Sequence, residues 1–468
     1  MSEANLDAKY IQMTQTPVES LICRLAVPTI ISNLITTFYN MADTFFIGRI
    51  STSASGAVGI AFSVMAAIQA VGFFFGQGSG NNISRLLGRQ ETDKAGKLAA
   101  VGFYSALIGG AAIAFLGLFF LEPLCMLLGS TETILPYAKD YLKYILIGAP
   151  YMAASLVLNN QLRFEGSAFY GMIGLTTGAL LNIVLDPILI FGFHMGISGA
   201  ALATIISQFV SFCLLYWGVR RAGNVLIRFK NFRPSVYFYK MILNGGLPSL
   251  CRQSISGIAM ICLNTAARPY GDAAIAAMAI VSRITNFTNS ILLGFGQGFQ
   301  PVCGFNYGAK LYERVKKGFW FCVKIGTVFL LVLAAVEFAA APLLIQLFRK
   351  GDAQVLEIGV KALRLQCLTY GLNGWVMISN MMMQTTGKMF RASFMGVSRQ
   401  GIFLIPAVLM LPAFIGILGI QIAQPLADCI TFVVCLVLQT GLLREMSREE
   451  KENERLQAEA SGPDYMGG

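Results

Sequence analysis

Asn182 and Asp186 are spaced i, i+4 inside the apolar run 168–191, so a helix there carries both on one face. Pro187 follows directly and cannot donate to the carbonyl of Ile183, which leaves an unpaired oxygen beside the acid, an arrangement suited to a cation. A second pattern surrounds Asp43. Asn33, Thr36, Thr37, Asn40, Asp43 and Thr44 recur every three to four positions, drawing one polar stripe along an otherwise apolar helix whose only charge in that stripe is Asp43. Thr204, Ser207, Gln208 and Ser211 repeat the spacing in 199–219. A carboxylate placed in hydrocarbon costs about 3 kcal/mol unless it faces a cavity or a partner, so it marks a functional site by default. The chemistry open to such groups is exchange, a proton or Na⁺ being traded for a cationic substrate. The competing reading of Asp43 is a helix-end acid at the outer surface, since Gly48-Arg49 follows closely.

The elements that must position these residues are membrane spans. Of 468 residues 13% are charged and 55% apolar, and the mean hydropathy is +0.64. A soluble domain has about 25% charged residues, which excludes an ordinary soluble enzyme. Windows such as Leu98–Leu121, Gly199–Val219 and Cys322–Leu347 have the roughly 20 apolar residues that cross a bilayer. Turn residues and charge clusters divide the chain into twelve spans: 18–47, 54–83, 98–121, 137–158, 168–191, 199–219, 241–267, 273–300, 318–341, 356–379, 395–412 and 419–443. With the N-terminus inside, the inner segments hold 23 Lys and Arg and the outer ones four (Arg49, Arg268, Arg349, Lys350), or eight with Lys139, Lys143, Lys361 and Arg364 at the helix ends. That asymmetry places both termini in the cytosol of a multi-pass plasma (inner) membrane protein. The net charge of +11 reports this topology and not a nucleic-acid surface. Residues 1–17 have no basic n-region or cleavage site, so the first span is expected to serve as its own signal.

An offset of 220 residues aligns the chain with itself. Pro28 falls on Pro248, Gly76-Gln77-Gly78 on Gly296-Gln297-Gly298, Gly88 on Gly308, Lys97 on Lys317, and Gly196-Ile197 on Gly416-Ile417. Six spans return the chain to its starting side, so the two copies are parallel and related by a pseudo-two-fold along the membrane normal. The expected fold is an all-α polytopic membrane protein of twelve helices in two six-helix lobes. An N-lobe (1–219, spans 1–6) and a C-lobe (241–443, spans 7–12) are joined by a basic cytosolic linker (220–240) and followed by a charged cytosolic tail (444–468), expected as a solvated helix or a frayed end. A cleft between the lobes suits alternating access to small-molecule organic substrates.

Enzyme chemistry lacks its parts. The chain has one histidine, His194, in a Gly-rich turn; its ten cysteines form no C-x-x-C pair; and neither H-E-x-x-H nor G-x-x-x-x-G-K-[ST] occurs. No cofactor is expected and no ATP-binding unit, which leaves an ion gradient as the power source. The GQG pairs read as close helix packing. At offset 220 the two acids meet Leu263 and Pro406, so they belong to the first half alone. The second half offers Arg283 and Asp428, expected as a buried ion pair, with substrate contact as the alternative. Arg252 and Lys324 are expected to snorkel and Glu337 to be solvated near an outer end. Met377, Met381, Met382, Met383 and Met389 read as core or lipid-facing filler, with a pliable substrate pocket as the alternative.

The runs Asn160–Ser207 and Gln384–Asp428, the LAVP opening and NMADTFFIG end of span 1, and the GQGFQPVCGFNYGAK stretch resemble the multidrug and toxic compound extrusion (MATE) family, most closely its DinF-like prokaryotic branch. The resemblance covers residues 15–443. It implies a V-shaped pair of lobes that exports organic cations or other drugs in exchange for H⁺ or Na⁺; separately from the resemblance, the chain is expected to work in the bilayer as a monomer. The resemblance further implies a proton or Na⁺ site at Asp43, Tyr141, Asn182, Asp186 and Thr204, with Na⁺ held by Asp43, Asn182, Asp186 and Thr204, and a hinge in span 1 at Pro28. The other prokaryotic branch has an acid in span 7 where this chain has Arg252-Gln253, which argues against a second cation site of that kind. A flippase for lipids or lipid-linked oligosaccharides, of the same superfamily, is the alternative, and would use basic residues such as Arg252 and Arg283 in the cleft. A major facilitator reading explains the span count, but Ser84–Arg89 lacks the acid and basic pair of that family's loop.

Overall fold

The computed structural model describes residues 3–222, 225–348 and 352–460. Arg349, Lys350 and the end of the tail from 461 lie outside the described residues. Among those described there is no strand. The twelve spans are Val18–Gly48, Thr52–Gly88, Thr92–Phe119, Leu135–Phe164, Ala168–Pro187 continued by a π-turn Ile188–Gly192, Gly196–Ala222, Val236–Ala267, Asp272–Gly308, Tyr312–Phe348, the pair Ala353–Cys367 and Tyr370–Thr385, Met389–Val397 continued through Ser398–Leu404 to Ile405–Ile415, and Ile417–Ala460. Among the described residues ten helices are long and apolar enough to cross a membrane. Span 7 has its apolar run interrupted by Ser249, Arg252, Gln253, Ser254 and Ser256, and span 10 is broken at Leu368–Thr369 into two shorter helices. Phe115, Phe119, Leu127, Leu343, Phe414 and Val437 are 65–83% exposed, a surface that suits lipid and not water.

The repeat is visible in backbone geometry. Span 2 and span 8 are both 37 residues long and start 220 residues apart. Gln90 and Lys310, which close them, both have φ of 61°, a left-handed conformation that non-glycine residues seldom adopt. Gly196 and Gly416, ahead of spans 6 and 12, have φ of 55° and 62°. Within each lobe the same neighbours pack: span 2 on span 4, span 5 on span 6 and span 1 on span 5, matched by 8 on 10, 11 on 12 and 7 on 11. Between the lobes, span 1 packs on span 8 and span 7 on span 2, as a two-fold requires.

Glycine makes that seam. A Cβ on Gly298 would stand 2.6 Å from Ala26 Cα, one on Gly294 2.7 Å from Ile30 Cα, and one on Gly245 2.8 Å from the Gly78 carbonyl. Gly88 rests on the Phe305 carbonyl and Gly308 on that of Arg85, a reciprocal pair at the 220-residue offset. Asn82 donates to the Met241 carbonyl at 2.8 Å, Arg85 to that of Thr386 at 3.0 Å, and Thr29 to that of Gly294 at 2.6 Å. These contacts lie at the end of the bundle that carries the chain termini, where the V is shut. The GQG pairs are therefore close helix packing, and Arg85 ties one lobe to the other.

The tail helix is docked and not frayed through Glu450. Lys316 pairs with Glu450 at 2.5 Å, and Lys388 and Arg391 with Glu445 at 2.8 and 2.5 Å. His194 lies in the exposed turn between spans 5 and 6, and all ten cysteines are free thiols. Met381, Met382 and Met383 are core, whereas Met377 reaches the central cavity. Glu337 is a correction. It is 7% exposed and accepts hydrogen bonds from the Thr288 hydroxyl and, at 3.0 Å, from the Tyr370 hydroxyl, because spans 8 and 10 close over it.

Candidate functional site

Four spans of the N-lobe bring together the five residues expected there. Tyr141, Asn182, Asp186 and Thr204 are each at most 1% exposed. With its amide turned to suit its neighbours, Asn182 donates to Asp186 Oδ2 at 3.1 Å and accepts from the Thr204 backbone N–H at 3.3 Å. The Tyr141 phenol lies beside Thr204, and Asp43 approaches closely enough for its charge to act on Asp186, Tyr141 and Tyr39. One oxygen of each acid, Oδ1 of Asp43 and Oδ1 of Asp186, is buried without a hydrogen-bond partner. No ion pair among the described residues neutralises either acid. Two carboxylates with spare lone pairs, ringed by amide, hydroxyl and phenol groups, form a hard-oxygen site that can take up a proton or a small cation.

The site adjoins a central cavity of about 500 Å³, within the range of small-molecule pockets. Asn33, Thr36 and Asn40 of the span 1 stripe and Thr204, Ser207, Gln208 and Ser211 of span 6 all line it. Asn182, Thr204 and Tyr39 belong to both places, so a ligand in the cavity and an ion at the acids touch the same side chains. Tyr39 went unnoticed in the sequence, although it stands four residues before Asp43 on the same helix face. Gln208 lines the same stretch of cavity wall.

Pro28 lies where span 1 crosses the seam. Ala26 and Ile30 on either side pack against Gly298 and Gly294 of span 8, and Ser32 donates to the Pro28 carbonyl at 2.9 Å. Span 1 is held to the other lobe on both sides of this point, Asn33 donating to the Ser290 carbonyl and to Gln297 Oε1 at 3.3 Å, and the polar stripe beyond faces the cavity.

The expected Arg283–Asp428 pair does not form. Arg283 is exposed, and Asp428, 1% exposed, pairs with Arg399 of span 11 at 2.8 Å. Gln366 and Thr369 donate to its Oδ2 at 3.1 and 3.2 Å, and Gln424 to its Oδ1 at 2.9 Å. The reason is helical register. Asp428 is the 220-residue counterpart of Gln208 and points toward span 11, while Arg283, on span 8, is exposed and has no acid partner among the described residues. Thr369 reaches Asp428 because span 10 breaks there. Arg252, expected to snorkel, lines the cavity beside Gln253, whereas Lys324 is exposed. Arg163 and Arg399 line the cavity as well.

A family model described as MatE matches residues 28–188 and 248–409, two stretches that begin at the paired prolines Pro28 and Pro248. Multidrug export protein MepA of Staphylococcus haemolyticus is 27% identical over 444 residues, which cover 94% of this chain and 97% of that protein. A multidrug resistance MATE family transporter of the MOP superfamily, solved in an outward-facing conformation, superposes with a TM-score of 0.89 at 27% identity, covering 94% of this chain and 98% of the other. A MOP superfamily transporter from Pyrococcus furiosus, whose binding pocket is described as reversed in polarity, superposes with a TM-score of 0.87 at 26% identity over 93% of this chain and 98% of its own. Doubled spans, a glycine seam and a family match covering both halves lead to one conclusion: the chain belongs to the MATE family of membrane transporters.

Proposed function

We propose that the protein is a secondary antiporter that exports drug-like organic molecules in exchange for H⁺ or Na⁺ by alternating access. The observation that carries this reading is the buried N-lobe cluster, in which Asp43 and Asp186 each keep one oxygen without a partner beside a cavity whose wall they share through Asn182 and Thr204. Na⁺ would be held by oxygens of Asp43, Asn182, Asp186 and Thr204, and a proton by either acid. Ion entry changes the charge behind span 1, and the segment above Pro28 then moves relative to the seam, altering the cavity and releasing the substrate. The two lobes, 1–219 and 241–443, act as the moving units, with 220–240 as their tether and 444–468 as a cytosolic tail. Positive-inside asymmetry supports termini in the cytosol of the plasma membrane, and the membrane potential then adds about 2.3 kcal/mol per charge moved per 100 mV. One chain supplies both lobes, the cavity and the ion site, which supports a monomeric unit. The multidrug export proteins among the relatives support drug efflux and lend nothing to lipid flipping.

The test uses liposomes containing the purified protein and loaded with ethidium or the carboxylate-bearing dye rhodamine 110. Either an inward pH gradient or an inward Na⁺ gradient accelerates dye exit, and the effective gradient names the ion. If neither gradient moves either dye faster than protein-free vesicles do, the antiport reading is wrong.

A further inference from the structure

We propose that the floor of the central cavity is an anion site, so that favoured substrates carry a carboxylate, sulfonate or phosphate group on an amphipathic body. The inference rests on the export reading and deepens it. The cavity wall bears Arg163, Arg252 and Arg399 and, among the described residues, no Asp or Glu. Arg399 is answered from behind by Asp428 at 2.8 Å. The other two guanidiniums are not answered: no ion pair among the described residues involves them. Arg163 is 3% exposed and donates to Asn160 Oδ1 at 2.6 Å, while its Nε is buried without a partner. Arg252 comes from the opposite lobe and lies near enough for the two positive charges to repel.

Two like charges held together in a membrane protein are costly without a counterion, and a guanidinium fork fits carboxylate or phosphate oxygens better than any other group. Gln77, Ser249 and Gln253 border the same floor with further amide and hydroxyl donors, and Phe73, Leu156 and Met377 supply apolar wall for the rest of the ligand. The site stands beside the seam where Gly78 packs on Ile242, with one arginine from each lobe. An anion bound between them removes the repulsion where the lobes meet. Substrate binding is thereby coupled to the lobe contact that must open and close.

Two dyes that differ in one group test this. Rhodamine 110 has a free carboxylate, and rhodamine 123 is its methyl ester. Fluorescence polarisation with the full-length protein in phosphatidylcholine nanodiscs should show rhodamine 110 binding about tenfold tighter, the value of one charge-assisted contact. That ratio should fall toward one in Arg252→Gln and in Arg163→Gln, and survive in part in Arg252→Lys, with size-exclusion profiles checking that each variant is folded. Equal affinities in the wild type, or a ratio unchanged in both Gln variants, would overturn the anion site and leave the export reading standing. Binding of neither dye would remove both. With phosphatidylglycerol added to the nanodiscs the preference should persist; its loss would overturn the substrate assignment and give the arginines to a lipid headgroup.

Discussion

Arg399 Nε lies 2.8 Å from Asp428 Oδ1, so this buried acid of the C-lobe carries its own cation, whereas Asp186 of the N-lobe has none. The two halves of one duplicated bundle have thus taken different charge states. With a guanidinium fixed on it, Asp428 has no charge left to offer an exchangeable ion. Removing one partner of such a pair leaves a buried charge and costs about 3–5 kcal/mol, while removing both costs far less. Arg399→Met and Asp428→Asn should each destabilise the protein in mixed-micelle unfolding, and the double variant should recover most of the loss. Additive losses would show that the pair is not coupled.

The glycine seam predicts a steric effect. In Gly298→Val the new side chain meets Ala26 of the other lobe, where a Cβ would stand only 2.6 Å from Cα. Overpacking of this kind costs about 1–3 kcal/mol and forces the lobes apart at the termini-bearing end. Cys303, fully buried beside the seam, should then react with N-ethylmaleimide, as mapped by mass spectrometry, while the wild type stays protected there.

Glu337 accepts from two hydroxyls, Thr288 and Tyr370. Glu337→Gln replaces one acceptor by an NH₂ donor that faces a donor, so thermal unfolding should show a loss of about 1–3 kcal/mol. An exposed residue would show none.

Span 1 runs unbroken from Val18 to Gly48 through Pro28, whose missing N–H leaves the Arg24 carbonyl without its helical donor. Pro28→Ala restores that bond. The helix should gain up to about 3 kcal/mol while dye efflux in liposomes slows, because the hinge has stiffened. Unchanged efflux would remove Pro28 from the cycle.

Periodicity and duplication made most of this legible in advance. Spacing alone put Asn182 beside Asp186 and drew the stripes of spans 1 and 6, and the offset of 220 residues recurs as matched φ values at Gln90 and Lys310. Tyr141 entered only through the family resemblance. What a linear reading could not reach were pairings between distant helices. Arg399 and Asp428 are 29 residues apart on different spans, and Glu337 finds its partners 49 residues back and 33 ahead. Arg163 at the inner end of span 4 and Arg252 of span 7 come from different lobes, and only the folded bundle brings both to the cavity wall.

The central claim is that Asp186, with Asp43, carries the coupling ion. It is tested most directly by gradient-driven dye efflux from liposomes containing wild-type protein or Asp186→Asn, at matched protein content, under the gradient that drives the wild type. The account predicts that the variant, which keeps the shape and hydrogen-bonding size of the side chain but not its charge, falls to the rate of protein-free vesicles. Efflux at the wild-type rate would contradict it.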